Sequence, residues 1–198
     1  MKITIRAALL GLVFAVLAAT AAHAASDALK GMIYDTGPLK ATDSKLKVRV
    51  GEQAPDFTLK SVSGKMVSLS DYKGKSNVVI SFIPAAWTPV CSDQWPGYAL
   101  AQDVFKKNDA VVLGISTDNI PTLYAWTSQM NGVWFPVLSD FWPHGEVARK
   151  YGVLRSDGTA DRTILIVDKK GRIRYIGLHS INTRPPLEEI IKELERIR

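Results

Sequence analysis

The sequence predicts an α/β fold, a mixed central sheet with helices on both faces. Three observations predict it. Apolar, β-branched runs at Val78–Phe82 and Val111–Ser116 suit buried central strands. Segments of helical apolar spacing follow each run. Strand–turn–strand patterns near both ends of the chain add antiparallel pairs.

In chain order, Phe57–Lys60 and Met66–Leu69 are short strands flanking the turn Ser63-Gly64-Lys65. Val78–Phe82 is the central strand. Trp95, Tyr98, Ala101 or Gln102, and Phe105 then recur at helical spacing, with Asp93 available as N-cap. Val111–Ser116 is the next strand, and Leu123, Trp126 or Thr127, and Met130 mark a second helix ended by Asn131-Gly132. Val137 and Leu138 form a short apolar element, and Gly145–Tyr151 a short helix before Gly152. Thr163–Val167 and Ile173–Leu178 flank Asp168-Lys169-Lys170-Gly171, the clearest hairpin in the chain. Leu187–Ile197 closes as a helix, with Pro186 in its first turn, Glu188 and Glu189 at the positive end and Arg196 and Arg198 at the negative end. Strands alternating with helices and then an antiparallel pair make a layout shared with thioredoxin-like folds, and layout alone names no chemistry.

At 198 residues and 46% hydrophobic, the chain is long enough for one well-buried core. Its first 24 residues read as a secretory signal: Lys2 and Arg6 are the positive segment, Ala7 to Ala19 the apolar run, and Ala22-His23-Ala24 the cleavage site. That run is shorter than the roughly 18 residues of a spanning helix, which predicts cleavage and no stable membrane span afterwards. The chain is expected to be exported to a bacterial periplasm. Residues 25–49 lack periodicity and read as an extended arm, leaving 50–198 as one domain. Loss of Lys2 and Arg6 with the leader leaves 23 basic against 19 acidic residues, a mild excess. The one dense basic group, Lys169, Lys170, Arg172 and Arg174, fits a solvated hairpin better than a nucleic-acid stripe. His144 and His179 lack metal-ligand spacing, so neither metal nor cofactor is expected.

The single cysteine, Cys91, permits no internal disulfide. It lies where Ser81-Phe82-Ile83-Pro84-Ala85-Ala86-Trp87-Thr88-Pro89-Val90-Cys91 passes from a buried strand through a loop into a helix N-terminus. A thiol of ordinary pKa is only about 3% thiolate at pH 7, and the thiolate is the nucleophile. A helix N-terminus or a nearby guanidinium favours the anion, yet full ionisation would gain only about thirty-fold. Fast chemistry also needs donors aimed at the atoms where charge develops.

The pattern Pro84-x-x-x-Thr88-x-x-Cys91 resembles the active-site motif of the peroxiredoxins, the alkyl hydroperoxide reductase and thiol-specific antioxidant family. Collinear segments carry the likeness from about Gly51 to Leu178: Ala54-Pro55-Asp56-Phe57-Thr58-Leu59, Phe135-Pro136-Val137-Leu138-Ser139-Asp140, Ala148–Val153, and the strand Arg162–Gly171. The resemblance implies a thioredoxin-like fold of the one-cysteine type. Cys91 would be the peroxidatic cysteine, Thr88 the hydroxyl that bonds the peroxide, Arg162 the group that steadies thiolate and oxygens, and Pro84 the shield of the pocket. It further implies hydrogen peroxide or organic hydroperoxides as substrates, a sulfenic acid on Cys91, and an external reductant, either a thioredoxin-like protein or a low-molecular-weight thiol. A homodimer is the assembly it suggests.

Two departures bear on this reading. Gln94 stands where related subfamilies often carry glutamate, which removes a charge from the helix face. Pro96 fits a first turn and kinks a helix elsewhere. Bland readings stand beside the catalytic ones: Thr88 as a helix cap, Arg162 as a surface residue opposite Asp161, Pro84 as a strand terminator, and Trp87, Trp95, Trp134 and Trp142 as core filling rather than a peroxide pocket. The alternative function is a redox-sensing or disulfide-exchange module without peroxidase turnover. Cys91-Ser92-Asp93-Gln94 lacks the second thiol of a disulfide oxidoreductase.

Overall fold

The computed structural model describes residues 31–197. The signal segment 1–24 and the first six residues of the arm lie outside the described residues. Among the described residues, seven strands form one sheet in the order β2-β1-β5-β4-β3-β6-β7. They are β1 (Thr58–Ser61), β2 (Met66–Ser68), β3 (Asn77–Phe82), β4 (Ala110–Ser116), β5 (Val137–Ser139), β6 (Thr163–Val167) and β7 (Ile173–Leu178). β3, β4 and β5 run parallel, and the remaining pairings are antiparallel.

Among the described residues, five α-helices flank the sheet: α1 (Pro89–Leu100), α2 (Gln102–Lys107), α3 (Ile120–Gln129), α4 (Glu146–Tyr151) and α5 (Leu187–Arg196). Strand parity divides the core. Val79, Val112, Ile164 and Ile166 face α1, α2, α3 and α5, while Val78, Ile80, Phe82, Leu113 and Leu165 face α4 and the arm residue Val48. The mixed sheet with helices on both faces is thus present, four helices on one face and one on the other.

Close approach of α1 to the sheet depends on one missing side chain. A Cβ on Gly114 of β4 would sit 2.7 Å from the fully buried Trp95 ring. Trp95 in turn packs on Trp126 at 5.1 Å and Phe135 at 5.9 Å between centroids, and its indole donates to Ser81 Oγ of β3 at 3.2 Å. Ser81 is the one polar residue in the interior of β3 and points to the α1 face, so its hydroxyl is an anchor for that helix.

Three expectations are corrected. The helix after β3 opens at Pro89, with Thr88 rather than Asp93 in the N-cap position, because proline is preorganised for the first helical residue and lacks an N–H to leave unpaired. Pro96 therefore lies in the helix interior, where it removes the bond that the Ser92 carbonyl would accept. The apolar run to Phe105 is not one helix: it breaks at Ala101 into α1 and α2. At the C-terminal helix, Pro186 occupies the N-cap position instead of the first turn.

Residues 31–49 carry no strand or helix and lie along the domain. Their backbone is bonded to two loops and to the end of α4: Tyr34 N to Trp87 O at 2.7 Å, Ala41 O to Ile181 N at 2.8 Å, and Lys47 N to Tyr151 O at 3.1 Å. Asn182 makes a two-point bond to Leu39, its Nδ2 donating to the Leu39 carbonyl at 2.8 Å and its Oδ1 accepting the Leu39 N–H at 3.2 Å.

Candidate active site

β3 ends at Phe82 and the chain leaves the sheet through Pro84, which is buried. The loop that follows is fixed from two sides. Asp118 accepts from Ala86 N at 2.8 Å and from Ser116 Oγ at 2.6 Å. Trp87 holds φ at +61°, a left-handed conformation that costs a bulky residue on the order of 1–2 kcal/mol. The bond its carbonyl accepts from Tyr34 helps to hold that conformation.

Cys91 is the third residue of α1 and fully buried. The first ladder bond of this helix runs from Ser92 N to Thr88 O at 3.0 Å, so the N–H groups of Val90 and Cys91 precede the ladder and present the positive end of the helix to the sulfur. Thr88 makes no side-chain capping bond. Its hydroxyl donates to the Ala85 carbonyl at 2.9 Å, which leaves the oxygen free to act as an acceptor.

Arg162 immediately precedes β6 and shares the parity of Ile164 and Ile166, so its side chain runs under α1. It is 1% exposed. Nη2 donates to Cys91 Sγ at 3.3 Å and to the Ile181 carbonyl at 3.0 Å, Nε to the same carbonyl at 3.3 Å, and Nη1 to Gln94 Oε1 at 2.5 Å. Gln94 is itself fully buried and passes the chain on, donating from Nε2 to Tyr98 Oη at 3.0 Å and Ser81 Oγ at 3.2 Å.

The charge balance here is instructive. A buried cation needs a compensating anion, since desolvation otherwise costs several kcal/mol. Gln94 and Ile181 offer Arg162 only neutral oxygens, and the adjacent Asp161 turns away to Arg155, Asp43 N and Ser44. Among the groups Arg162 touches, the Cys91 sulfur is the one that can carry negative charge.

A cavity of about 490 Å³ opens onto this cluster, lined at its inner end by Pro84, Thr88, Val90 and Arg162. Cys91 has no exposed surface of its own. The structure thus brings Pro84 and Thr88 of the loop after β3, Cys91 of α1 and Arg162 just before β6 to one place. No tryptophan lines the cavity: Trp95 and Trp126 fill the core behind Cys91, and Trp142 is 82% exposed.

A protein-family model described as the AhpC/TSA family matches residues 50–176. The chain belongs to that family. Alkyl hydroperoxide reductase E of Mycobacterium tuberculosis (strain ATCC 25618 / H37Rv) is 40% identical over 129 residues, covering 65% of this chain and 84% of that protein. The chloroplastic 2-cysteine peroxiredoxin of Chattonella marina var. antiqua is 31% identical over 162 residues, 77% of this chain and 82% of that one. Among solved structures, Mycobacterium bovis AhpC superposes with a TM-score of 0.67 at 25% identity, over 75% of this chain and 91% of that one. The reduced Plasmodium vivax 2-Cys peroxiredoxin shares the fold, with a TM-score of 0.68 at 24% identity over 74% and 80% of the two chains. The chain is a peroxiredoxin, a thiol peroxidase of the one-cysteine type whose peroxidatic residue is Cys91.

Four features of this peroxiredoxin's site escape a reading of the sequence. Gln94 reads there as a missing charge and is in fact a direct ligand of Arg162. Asp118 holds the loop from the far end of β4, and its two-residue spacing from Ser116 was the available signal. Ile181 acts through its backbone carbonyl, which leaves no mark in the sequence. Asn182 acts on the arm, 143 residues away.

Proposed function

We propose that this peroxiredoxin reduces hydrogen peroxide and organic hydroperoxides through a sulfenic acid on Cys91, which an external thiol then recycles. The bond from Arg162 to Cys91, closed off from solvent at the foot of a cavity, carries this reading. The peroxide enters from the Thr88 end, and its O–H donates to the Thr88 oxygen. The Cys91 thiolate attacks the distal oxygen, the S–O bond forms as the O–O bond breaks, and the departing alkoxide or hydroxide takes up a proton to leave as alcohol or water. Sulfur is oxidised by two electrons and the peroxide reduced by two. The Arg162 guanidinium, already at the sulfur, donates to the oxygens as charge moves onto them, and Pro84 keeps bulk water from the thiolate. One external thiol then displaces water from the sulfenic acid to give a mixed disulfide, and a second releases Cys91 and carries the disulfide away. With one cysteine in the chain, both thiols come from outside.

Single-turnover mixing of the reduced protein with hydrogen peroxide and with an organic hydroperoxide, followed by mass spectrometry, tests this. The expected product is one added oxygen at Cys91, absent in Cys91→Ser and formed about 10²- to 10³-fold more slowly in Arg162→Ala, the usual loss for one donor to a developing oxyanion. Oxidation no faster than that of free cysteine refutes the peroxidase assignment.

The same reading includes export to a bacterial periplasm directed by residues 1–24, an arm over 25–49 on a domain spanning 50–198, and a homodimer. The leader's composition and the family resemblance support these. Amino-terminal sequencing of protein recovered from a periplasmic fraction and light scattering of the purified protein check them.

A further inference from the structure

The outer wall of the active-site cavity is built from parts of the chain that lie outside the segment matched by the family model. That match covers residues 50–176, whereas the cavity is also lined by Asp35–Leu39 of the arm and by Ile181 and Asn182 after β7. The two outlying segments hold each other. Asn182 clasps the Leu39 backbone at both its N–H and its carbonyl, and Ile181 N donates to Ala41 O at 2.8 Å. The same Ile181 offers its carbonyl to Arg162. One turn of chain therefore fixes the arm on one side and the site's guanidinium on the other.

The wall has a definite chemistry. Pro38 and Leu39 line the cavity together with the apolar residues Pro84, Val90 and Ile181, and Leu39 keeps 37% of its surface free although its backbone is held at both ends. Hydrogen peroxide makes no use of such a surface, whereas a hydrocarbon group does. The acidic side chains on the rim are Asp35 and Asp157, and among the described residues the lining contains no lysine. Asp157 shares Arg155 with Asp161, so that cluster of one guanidinium and two carboxylates keeps a net negative charge. Arg162, the one cation of the lining among the described residues, is already committed to Cys91, Gln94 and Ile181.

Resting on the peroxidase reading above, we propose that the arm segment Asp35–Leu39, latched by Asn182, selects neutral organic hydroperoxides: Pro38 and Leu39 receive the alkyl portion, and Asp35 with Asp157 repels peroxides that carry a carboxylate. Leu39 and Asp35 are specificity residues that leave the chemistry at Cys91 to Thr88 and Arg162.

The test measures single-turnover oxidation of Cys91 by hydrogen peroxide, by tert-butyl hydroperoxide and by a short hydroperoxide bearing a terminal carboxylate. It uses the wild type and the variants Leu39→Ala, Asn182→Ala and Asp35→Asn. The readout is the ratio of rate constants within each variant, which cancels any general change in the thiolate. Leu39→Ala and Asn182→Ala are expected to lower the ratio of tert-butyl to hydrogen peroxide rates by about fivefold, the effect of losing one modest apolar contact. Leu39→Ala keeps the backbone latch and so separates the side chain's role from arm docking. Asp35→Asn is expected to raise the carboxylate-bearing to tert-butyl ratio by about two- to threefold at low salt, an advantage that shrinks as ionic strength rises. Ratios that stay at the wild-type values in all three variants overturn the selection proposal while leaving the peroxidase reading intact. A wild type inert to every peroxide overturns both.

Discussion

Gln94 shows how a single neutral residue can organise a charged site. Its amide accepts from Arg162 on one side and donates to Ser81 and Tyr98 on the other, so it fixes the guanidinium without offering it a counter-charge. The orientation follows from chemistry, since Arg162 has only donors and the amide oxygen must face it. Burial pushes the Tyr98 hydroxyl well above the ordinary tyrosine range, so it stays a neutral partner at the end of the chain. Gln94→Leu keeps the approximate shape and strands the Arg162 Nη1 donor and the Tyr98 hydroxyl in the core, while Ser81 keeps the Trp95 indole as partner. The substitution is expected to cost about 1–3 kcal/mol for each group that finds no water. The same change frees Arg162 to shift, so Cys91 oxidation slows as well. Denaturant unfolding and single-turnover kinetics check the two effects, and a variant as stable and as fast as wild type would show Gln94 to be filler. The motif Pro84-x-x-x-Thr88-x-x-Cys91 makes the nucleophile legible from sequence because its spacing is local. Arg162 is legible only by resemblance, and its meeting with Cys91 is a matter of strand parity and sheet order that no local pattern encodes.

Most elements could be read from periodicity because each buries one face. β3, β4, β6, β7 and α5 all lie within a residue or two of the expected spans, and α3 carries the expected apolar positions Leu123 and Trp126. The failures occur where backbone chemistry outweighs pattern: Pro89 starts α1 ahead of Asp93, and Ala101 divides a continuous apolar stripe. Short α4 is held by tertiary contacts, since Asp140 accepts from both Val147 N at 3.0 Å and Ala148 N at 2.8 Å at the helix start. At the end of β7 the chain carries His179, whose Nε2 has no hydrogen-bond partner among the described residues. Burial pulls this imidazole below its ordinary range, Glu189 opposes the shift and Arg162 reinforces it. The folded state therefore favours the neutral ring, and the unfolded chain takes up a proton first, near pH 6.5. The stability this group contributes is fully present above that pH and is lost as pH falls below it through the depressed folded value. Urea unfolding at pH 7.5 and pH 5.5 should show a larger loss in wild type than in His179→Gln. Equal losses would mean that the ring titrates freely in the folded protein.

At the scale of the whole molecule, the arm and the active site share one foundation. Asp161, fully buried next to Arg162, accepts from Asp43 N at 2.9 Å, Ser44 N at 2.8 Å and Ser44 Oγ at 2.6 Å on one carboxylate oxygen, and pairs with Arg155 on the other. Arg155 reaches further along the arm to the Lys40 carbonyl at 3.1 Å, and Asp43 accepts from Ser156 N at 2.9 Å. The crossing at Gly152 is so close that a Cβ there would lie 2.3 Å from the Lys45 carbonyl oxygen. None of this could be read in the sequence of residues 31–49, because that stretch has no periodicity of its own and is held mostly by groups more than a hundred residues away. Breaking a buried pair costs about 3–5 kcal/mol where the survivor has no other counter-ion, and less here because Arg155 keeps Asp157. Asp161→Ala is therefore expected to release the arm as well as to destabilise the domain, and Ser44→Ala to loosen the arm alone, by about 1 kcal/mol for one hydrogen bond. Hydrogen exchange over residues 31–49 separates these effects. In Ser44→Ala the arm amides should exchange faster while those of β3 and β6 keep wild-type protection. Arm amides that exchange at the wild-type rate in both variants would show that the backbone bonds to Trp87, Ile181 and Tyr151 hold the arm without Asp161.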